Sequence, residues 1–207
     1  MTSDEIAEAL AAPFEGREIR WKPKVVSGNR CLPVPYLDAR LIIERLDGVL
    51  GLGGWQDEYQ VLPDGSVLCR LSLRVDGEWI TKCDVGGQSK QPDVGDRMKS
   101  AVSNALKRAA VKFGVGRYLY RLPSIWVGYD ESKKQMVGQP ALPPWAQPRN
   151  RKAELWSVMK KAGLSYADCM EFLDLPTATP FGNLTAGQLE QLDEYCRTRP
   201  PLVSTEK

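Results

Sequence analysis

One stretch of this sequence stands apart by charge. Residues 97–121 hold Arg97, Lys99, Lys107, Arg108, Lys112, Arg117 and Arg121, and no Asp or Glu. Of 28 Lys and Arg residues, these seven leave 21 to face all 26 acids elsewhere, so a basic field sits on an otherwise acidic chain of formal net charge +2. A local field of this kind suits a polyanion. On a helix, Arg97, Asn104, Lys107 and Arg108 share one flank, and cations repeating at ~5–6 Å approximate the phosphates of a nucleic-acid strand. Lys107 and Arg108 are adjacent and diverge across that flank, and Lys112 lengthens the basic run. Arg117 and Tyr118, just past Gly114 and Gly116, offer a charge and a stacking surface for an unpaired base, whereas Tyr120 reads as core packing. Charge alone favours the ordinary alternative, a solvated helix face.

Other chemistries are excluded more easily. The chain has no histidine, which removes Ser-His-Asp and Cys-His catalysis, HExxH zinc sites and Cys/His fingers together. Its five cysteines are odd in number, widely spaced and without a CxxC pair, which predicts reduced thiols that mostly fill cores. No GxxxxGK[ST] loop occurs, and Gly51-Leu-Gly-Gly54 follows a helix and lacks the third glycine of a dinucleotide fingerprint. Pro92-Asp93 and Glu131-Ser132-Lys133 carry the letters of a metal-dependent nuclease, but a long helix separates them, so that reading stands only as an alternative. No catalytic residue, metal or cofactor is expected. No apolar run approaches the ~20 residues of a membrane span, and the acidic start at Met1–Glu8 predicts no secretory leader. A cytoplasmic, nucleoid-associated protein is expected.

Several elements must position these residues. Thr2 and Glu5 form a capping box for a short helix ended by Pro13. Residues 14–35, with Lys22, Lys24 and the further basic residues Arg17, Arg20 and Arg30, read as an extended or edge segment because of Pro23, Pro33 and Pro35. Leu37–Leu50 is an amphipathic helix with Ile42, Ile43, Leu46, Val49 and Leu50 on one face. Trp55–Val61, Val67–Val75 and Trp79–Val85 alternate with period two and make an antiparallel meander, with Asp76-Gly77 as a hairpin turn. Asp96–Phe113 is the basic helix, with Met98, Val102, Ala105, Leu106, Ala109 and Phe113 as its apolar stripe. Residues 139–150, with four prolines, predict a linker. Beyond it, three short helices over 151–199 share a mini-core of Trp156, Leu164, Phe172, Leu184, Leu189 and Leu192, and 200–207 is a flexible tail. The fold class is therefore α+β, a β-meander packed on a long helix over 1–138, plus a small all-helical unit.

Ala105-Leu-Lys-Arg-Ala-Ala-Val-Lys-Phe-Gly-Val-Gly-Arg-Tyr-Leu-Tyr120 resembles the signature of the DdrA (DNA damage response protein A) family, bacterial and phage relatives of the eukaryotic Rad-fifty-two annealing protein. Pro13-Phe14 with Ile19-Arg-Trp-Lys-Pro23, and Tyr36-Leu-Asp-Ala-Arg40 followed by Gly53-Gly-Trp55, resemble the same family in the same order, covering about residues 8–125. The resemblance implies a β-β-β-α core that assembles into homo-oligomeric rings and binds single-stranded DNA in a basic groove. It also implies protection of 3′ ends and pairing of complementary strands without ATP. Lys107 and Arg108 match the family's DNA-contacting pair, and Tyr36, Lys22 and Lys24 match positions lining the same groove. Two departures stand out: Val111 replaces a basic residue of the eukaryotic branch, and Asn104 replaces an Asp common in the family.

The expected function is therefore single-strand binding and annealing in recombinational repair, through Lys107, Arg108, Arg97, Asn104, Lys112, Arg117, Lys22, Lys24 and Tyr36. Arg70 and Arg74, on the outer face of the meander, are a second candidate surface or an ordinary solvated sheet face. The alternative is a scaffold that recruits recombination proteins through the C-terminal helices.

Overall fold

The computed structural model describes residues 1–148 and 151–198. The tail expected at 200–207, with residues 149, 150 and 199, lies outside the described residues. The chain divides into two compact units, Met1–Pro148 and Arg149–Lys207.

In the first unit the elements run α1 (Ser3–Ala11), β1 (Arg20–Ser27), β2 (Arg30–Tyr36), α2 (Ala39–Leu50), β3 (Trp55–Val61), β4 (Val67–Val75), β5 (Glu78–Gly86), α3 (Val94–Lys112), β6 (Val127–Asp130) and β7 (Gln135–Val137), with 3-10 turns at Arg117–Arg121 and Pro144–Ala146. This is the α+β class expected. Two antiparallel sheets form, β3-β4-β5 and β1-β2-β6-β7.

The core follows from period two on a central strand. Val67, Cys69, Leu71 and Leu73 of β4 are fully buried, each apolar side chain contributing roughly 1.5–3 kcal/mol. Against them α3 presents Ala101, Ala105, Leu106, Ala109 and Ala110. The expected stripe is corrected here: Met98, Val102 and Phe113 only flank the core, because a column of alanines brings the helix axis close and pushes larger side chains to the sides. The approach is tight enough that a Cβ at Gly86 would lie 2.2 Å from the Ala105 backbone N and 2.3 Å from the Ala101 carbonyl O. Only glycine ends β5 under this helix. Ile42 and Leu46 of α2 and Leu10 of α1 complete the same cluster. Arg45 ties α2 to α1, donating from one nitrogen to the Ala9 and Ala12 carbonyls at 3.0 and 2.7 Å, with its guanidinium over the Phe14 ring.

Helix starts are chemically marked. Thr2 and Glu5 form the expected capping box, Asp38 caps α2 and Asp93 caps α3. The proline-rich segment forms the β1–β2 hairpin. Because β6 pairs only with Arg30 and Cys31, Pro33 and Pro35 fall on the stretch of β2 that β6 leaves unpaired, where no ladder N–H is missed. The β6–β7 hairpin was not expected. Its strands are four and three residues long, and its turn is held by Asp130 accepting from the Ser132 and Lys133 N–H groups rather than by a glycine pair. Residues 139–148 of the expected linker pack onto this unit: Leu142 touches its core and Ala146 is buried.

The second unit holds α4 (Arg151–Lys161), α5 (Tyr166–Phe172) and α6 (Ala186–Arg197), with Thr185 and Gln188 in a capping box. Its core is Leu155, Met159, Cys169, Met170, Leu184, Leu189, Leu192 and Cys196. Trp156 and Phe172, expected inside, are 51 % and 44 % exposed. The inward row of α4 is Leu155–Met159, one position away from Trp156. Trp156 instead meets Phe181 edge-on, and Phe172 stacks on Tyr195. Four of the five cysteines are buried, and Cys83 is partly exposed.

Candidate nucleic-acid interface

Cross-strand register sets the first half of the site. Arg20 of β1 stands opposite Tyr36 of β2, and Lys22 stands opposite Val34, the residue two before Tyr36. Same-face and diagonal neighbours in a ladder are within reach of long side chains, so Arg20, Lys22 and Tyr36 share one face. The Lys22 ammonium lies 5.5 Å from the Tyr36 ring centroid. Trp21, which points the other way, packs on the core. The register shifts between Pro23 and Val25, which leaves exposed Lys24 as the bulge residue, out of step with Lys22.

The basic helix supplies the second half. Lys107 places its ammonium 5.8 Å from the same Tyr36 ring. Two ammonium groups within ~6 Å of one ring make two cation–π contacts. Partial burial lowers the Lys107 pKa, Lys22 lowers it further by like-charge repulsion, and Asp38 opposes both. The cluster is therefore short of negative charge, and Lys107 is only half solvated. A phosphate diester placed there relieves the repulsion between the two lysines.

Arg108 faces differently. Asn104, Arg108 and Lys112 lie four residues apart and run along β5. Asn104 Nδ2 donates to the Gly87 carbonyl at 3.2 Å. Arg108 Nε donates to Asp84 Oδ1 at 2.9 Å, and Lys112 Nζ lies 3.4 Å from Asp84 Oδ2 while also donating to the Cys83 carbonyl. Partial burial works to raise the Asp84 carboxyl, but the Val85 N–H, Arg108 and Lys112 together hold it below its ordinary value. Thus the basic flank splits into two rows, with Lys107 turned to Tyr36 and Arg108 to Asp84.

The remaining candidates make contacts of their own. Arg117 caps the end of α3, donating to the Val111 and Lys112 carbonyls at 2.9 and 2.7 Å, a usual use of a cation at a helix C-terminus. Arg97, half-buried near the start of α3, has a shielded Nε without a hydrogen-bond partner. The two tyrosines exchange the places expected of them. Tyr118 is half-buried, and its hydroxyl accepts from the Phe14 N–H at 2.9 Å, whereas Tyr120 is 72 % exposed. Arg70 contacts Gln60 at 3.4 Å on the outer sheet face, and Arg74 is exposed beside Trp79. The nuclease letters are dispersed: Asp93 is the α3 cap and Glu131 sits in the β6–β7 turn. Among the described residues no group of three His, Cys, Asp or Glu side chains could hold a metal ion. No described helix is long and apolar enough to cross a membrane.

Arg20 is the residue that sequence reasoning left out of the site. Its signal was present as the period-two partner of Lys22, but only the strand register puts it opposite Tyr36.

Comparison with known proteins identifies relatives of the chain. The chain is 37 % identical over 155 residues to the single-stranded DNA-binding protein DdrA of Deinococcus deserti, covering 74 % of this chain and 75 % of that protein. It is 33 % identical over 150 residues to the DdrA of Deinococcus radiodurans, covering 72 % and 70 %. Residues 2–137 match the model of the Rad52/22 family of double-strand break repair proteins, a span that takes in both sheets and α3. The chain belongs to the Rad52/22 family of double-strand break repair proteins.

Proposed function

We propose that this protein binds single-stranded DNA and anneals complementary strands in recombinational repair, and protects 3′ ends, without nucleotide hydrolysis. The observation that carries the reading is the convergence of Lys22 from β1 and Lys107 from α3 on the ring of Tyr36, with Arg20 opposite Tyr36 in the β1–β2 ladder. Cations at this spacing neutralise successive phosphates and release counterions, which gives affinity without sequence preference. The ring between them offers a stacking face to an unpaired base. A duplex has no free base faces, so the same site discriminates against it. Arg108 and Lys112 extend the path along α3, and Lys24 extends it along β1. The relatives named as single-stranded DNA-binding proteins support the same assignment. Base edges left open to a second strand allow pairing to be tested, and duplex stacking drives the product forward. In this reading the working form is a homo-oligomeric ring whose grooves join into one continuous track. The DNA-binding unit ends at Pro148, and the C-terminal helices serve recombination partners through the exposed Trp156 and the Phe172–Tyr195 stack.

Fluorescence anisotropy with a labelled oligo-dT strand and a matched duplex, at two salt concentrations and without metal, tests the proposal. Preference for the single strand with affinity falling steeply as salt rises supports it. Equal affinity for duplex, or no binding, overturns it.

A further inference from the structure

Asp84 is a carboxylate of β5 set against the basic flank of α3, where it meets Arg108 and Lys112. It is 17 % exposed, whereas its partners Arg108 and Lys112 are 54 % and 46 % exposed. Its two oxygens are both engaged by cations: Oδ1 accepts from Arg108 Nε at 2.9 Å and Oδ2 lies 3.4 Å from Lys112 Nζ. The Val85 N–H, donating to Oδ1 at 2.8 Å, fixes the carboxylate in place. A carboxylate and a phosphate diester offer the same ligand, two anionic oxygens in a plane, to a guanidinium. Asp84 therefore stands where a phosphate otherwise binds. With Nε taken, Arg108 can meet DNA only end-on, through its terminal nitrogens. Lys112 divides its ammonium between Asp84 and the Cys83 carbonyl. Lys107 has no such partner: no carboxylate lies within ion-pair distance of it among the described residues.

We propose that Asp84 is a resident counter-anion that weakens the hold of Arg108 and Lys112 on single-stranded DNA. The inference rests on the reading of α3 as the single-strand-binding helix. It divides the site into a strong half at Tyr36 and a deliberately loosened half at Asp84. A strand held firmly at one point and loosely at the next can shift its register, which a protein that pairs strands requires.

The test is the variant Asp84→Asn, which keeps an oxygen for the Val85 N–H and for Arg108 Nε but removes the charge. Asp84→Ser is a second neutral variant that retains a small acceptor. Thermal melts followed by circular dichroism identify which of them folds as the parent does. Anisotropy with oligo-dT is then read from ~0.05 to 0.3 M salt. Removing one charge beside the phosphate path is expected to tighten binding by about three- to eightfold near 0.1 M salt, and to steepen the dependence of log K on log salt by about 0.7. In the Asp84→Asn background, Arg108→Gln is expected to cost more affinity than it does in the parent. Unchanged or weaker binding by the neutral variant, with the parent binding normally, overturns this proposal alone, since it means that Asp84 is inert or orients Arg108 for contact. Failure of the parent to bind the strand overturns the underlying reading instead.

Discussion

Lys107→Gln is the most informative perturbation of the candidate site. Lys107 lies half-buried over Tyr36, with Lys22 on the same ring. In the proposed groove the substitution removes one phosphate partner and leaves no carboxylate unpaired. One contact to a single strand contributes a slope of about 0.7 in log K against log salt, so its loss costs about fivefold in affinity at 0.1 M salt relative to 1 M. Anisotropy titrations with oligo-dT at four salt concentrations resolve both quantities. Stability responds in the opposite direction. Burial and Lys22 both disfavour the Lys107 charge, and repulsion between two ammonium groups across one ring is worth about 1 kcal/mol or less at an effective dielectric of ~40. The variant is therefore expected to melt no lower than the parent. The pH dependence follows from the same shift. Because the Lys107 pKa is lowered, the residue sheds its proton at a lower pH than an exposed lysine does. Binding to DNA falls as pH rises through that region, while the stability penalty of the charged form, present below the lowered pKa, is relieved. Lys107→Arg, which stays charged, flattens this alkaline loss of binding. An unchanged salt slope in Lys107→Gln refutes the assignment of Lys107 to the phosphate path.

Tyr36→Ala is expected to weaken oligo-dT binding by about 1–3 kcal/mol, the worth of one stacked base, while Tyr36→Phe keeps most of it; anisotropy distinguishes the two. Tyr118→Phe leaves the part-buried Phe14 N–H without its acceptor and is expected to cost about 1–3 kcal/mol in urea unfolding, with DNA affinity unchanged. Deleting residues 149–207 removes a unit with its own core, so single-strand affinity is expected to stay within about threefold of the parent by anisotropy. A larger loss places part of the DNA site in the C-terminal helices.

How much of this was legible from sequence differs by element. The meander was clear because β4 is central: Val67, Cys69, Leu71 and Leu73 can be buried only at period two. The start of α1 was clear because Thr2 and Glu5 form a capping box, whereas α2 starts after its cap Asp38 rather than at Leu37. The β6–β7 hairpin was hidden by its shortness and by a turn held through an Asp side chain. Among the candidate site residues, Lys22 and Lys107 meet at the ring of Tyr36. The direction of Arg108 was not legible, since helical spacing assigns a flank but not which strand lies beside it. Asp84 pulls Arg108 towards β5, and nothing local to the helix announces that acid. Tyr118 and Tyr120 were exchanged for a related reason. The tight turn at Gly116, in a left-handed conformation with φ +65°, rotates the segment so that Tyr118 reaches the Phe14 backbone. The mini-core of the second unit slipped by one position because Trp156 and Leu155 are equally apolar, and only packing of α4 against α6 chooses between them.

The account stands on DNA running across the Tyr36 ring between Lys22 and Lys107. Photo-cross-linking of an oligonucleotide carrying 5-iodouracil, followed by digestion and mass spectrometry of the cross-linked peptide, locates the strand directly. The predicted result is attachment at Tyr36, lost in Tyr36→Ala and suppressed by excess unlabelled single strand but not by duplex. Cross-links confined to the outer sheet face around Arg70 and Trp79, or to the C-terminal helices, contradict it.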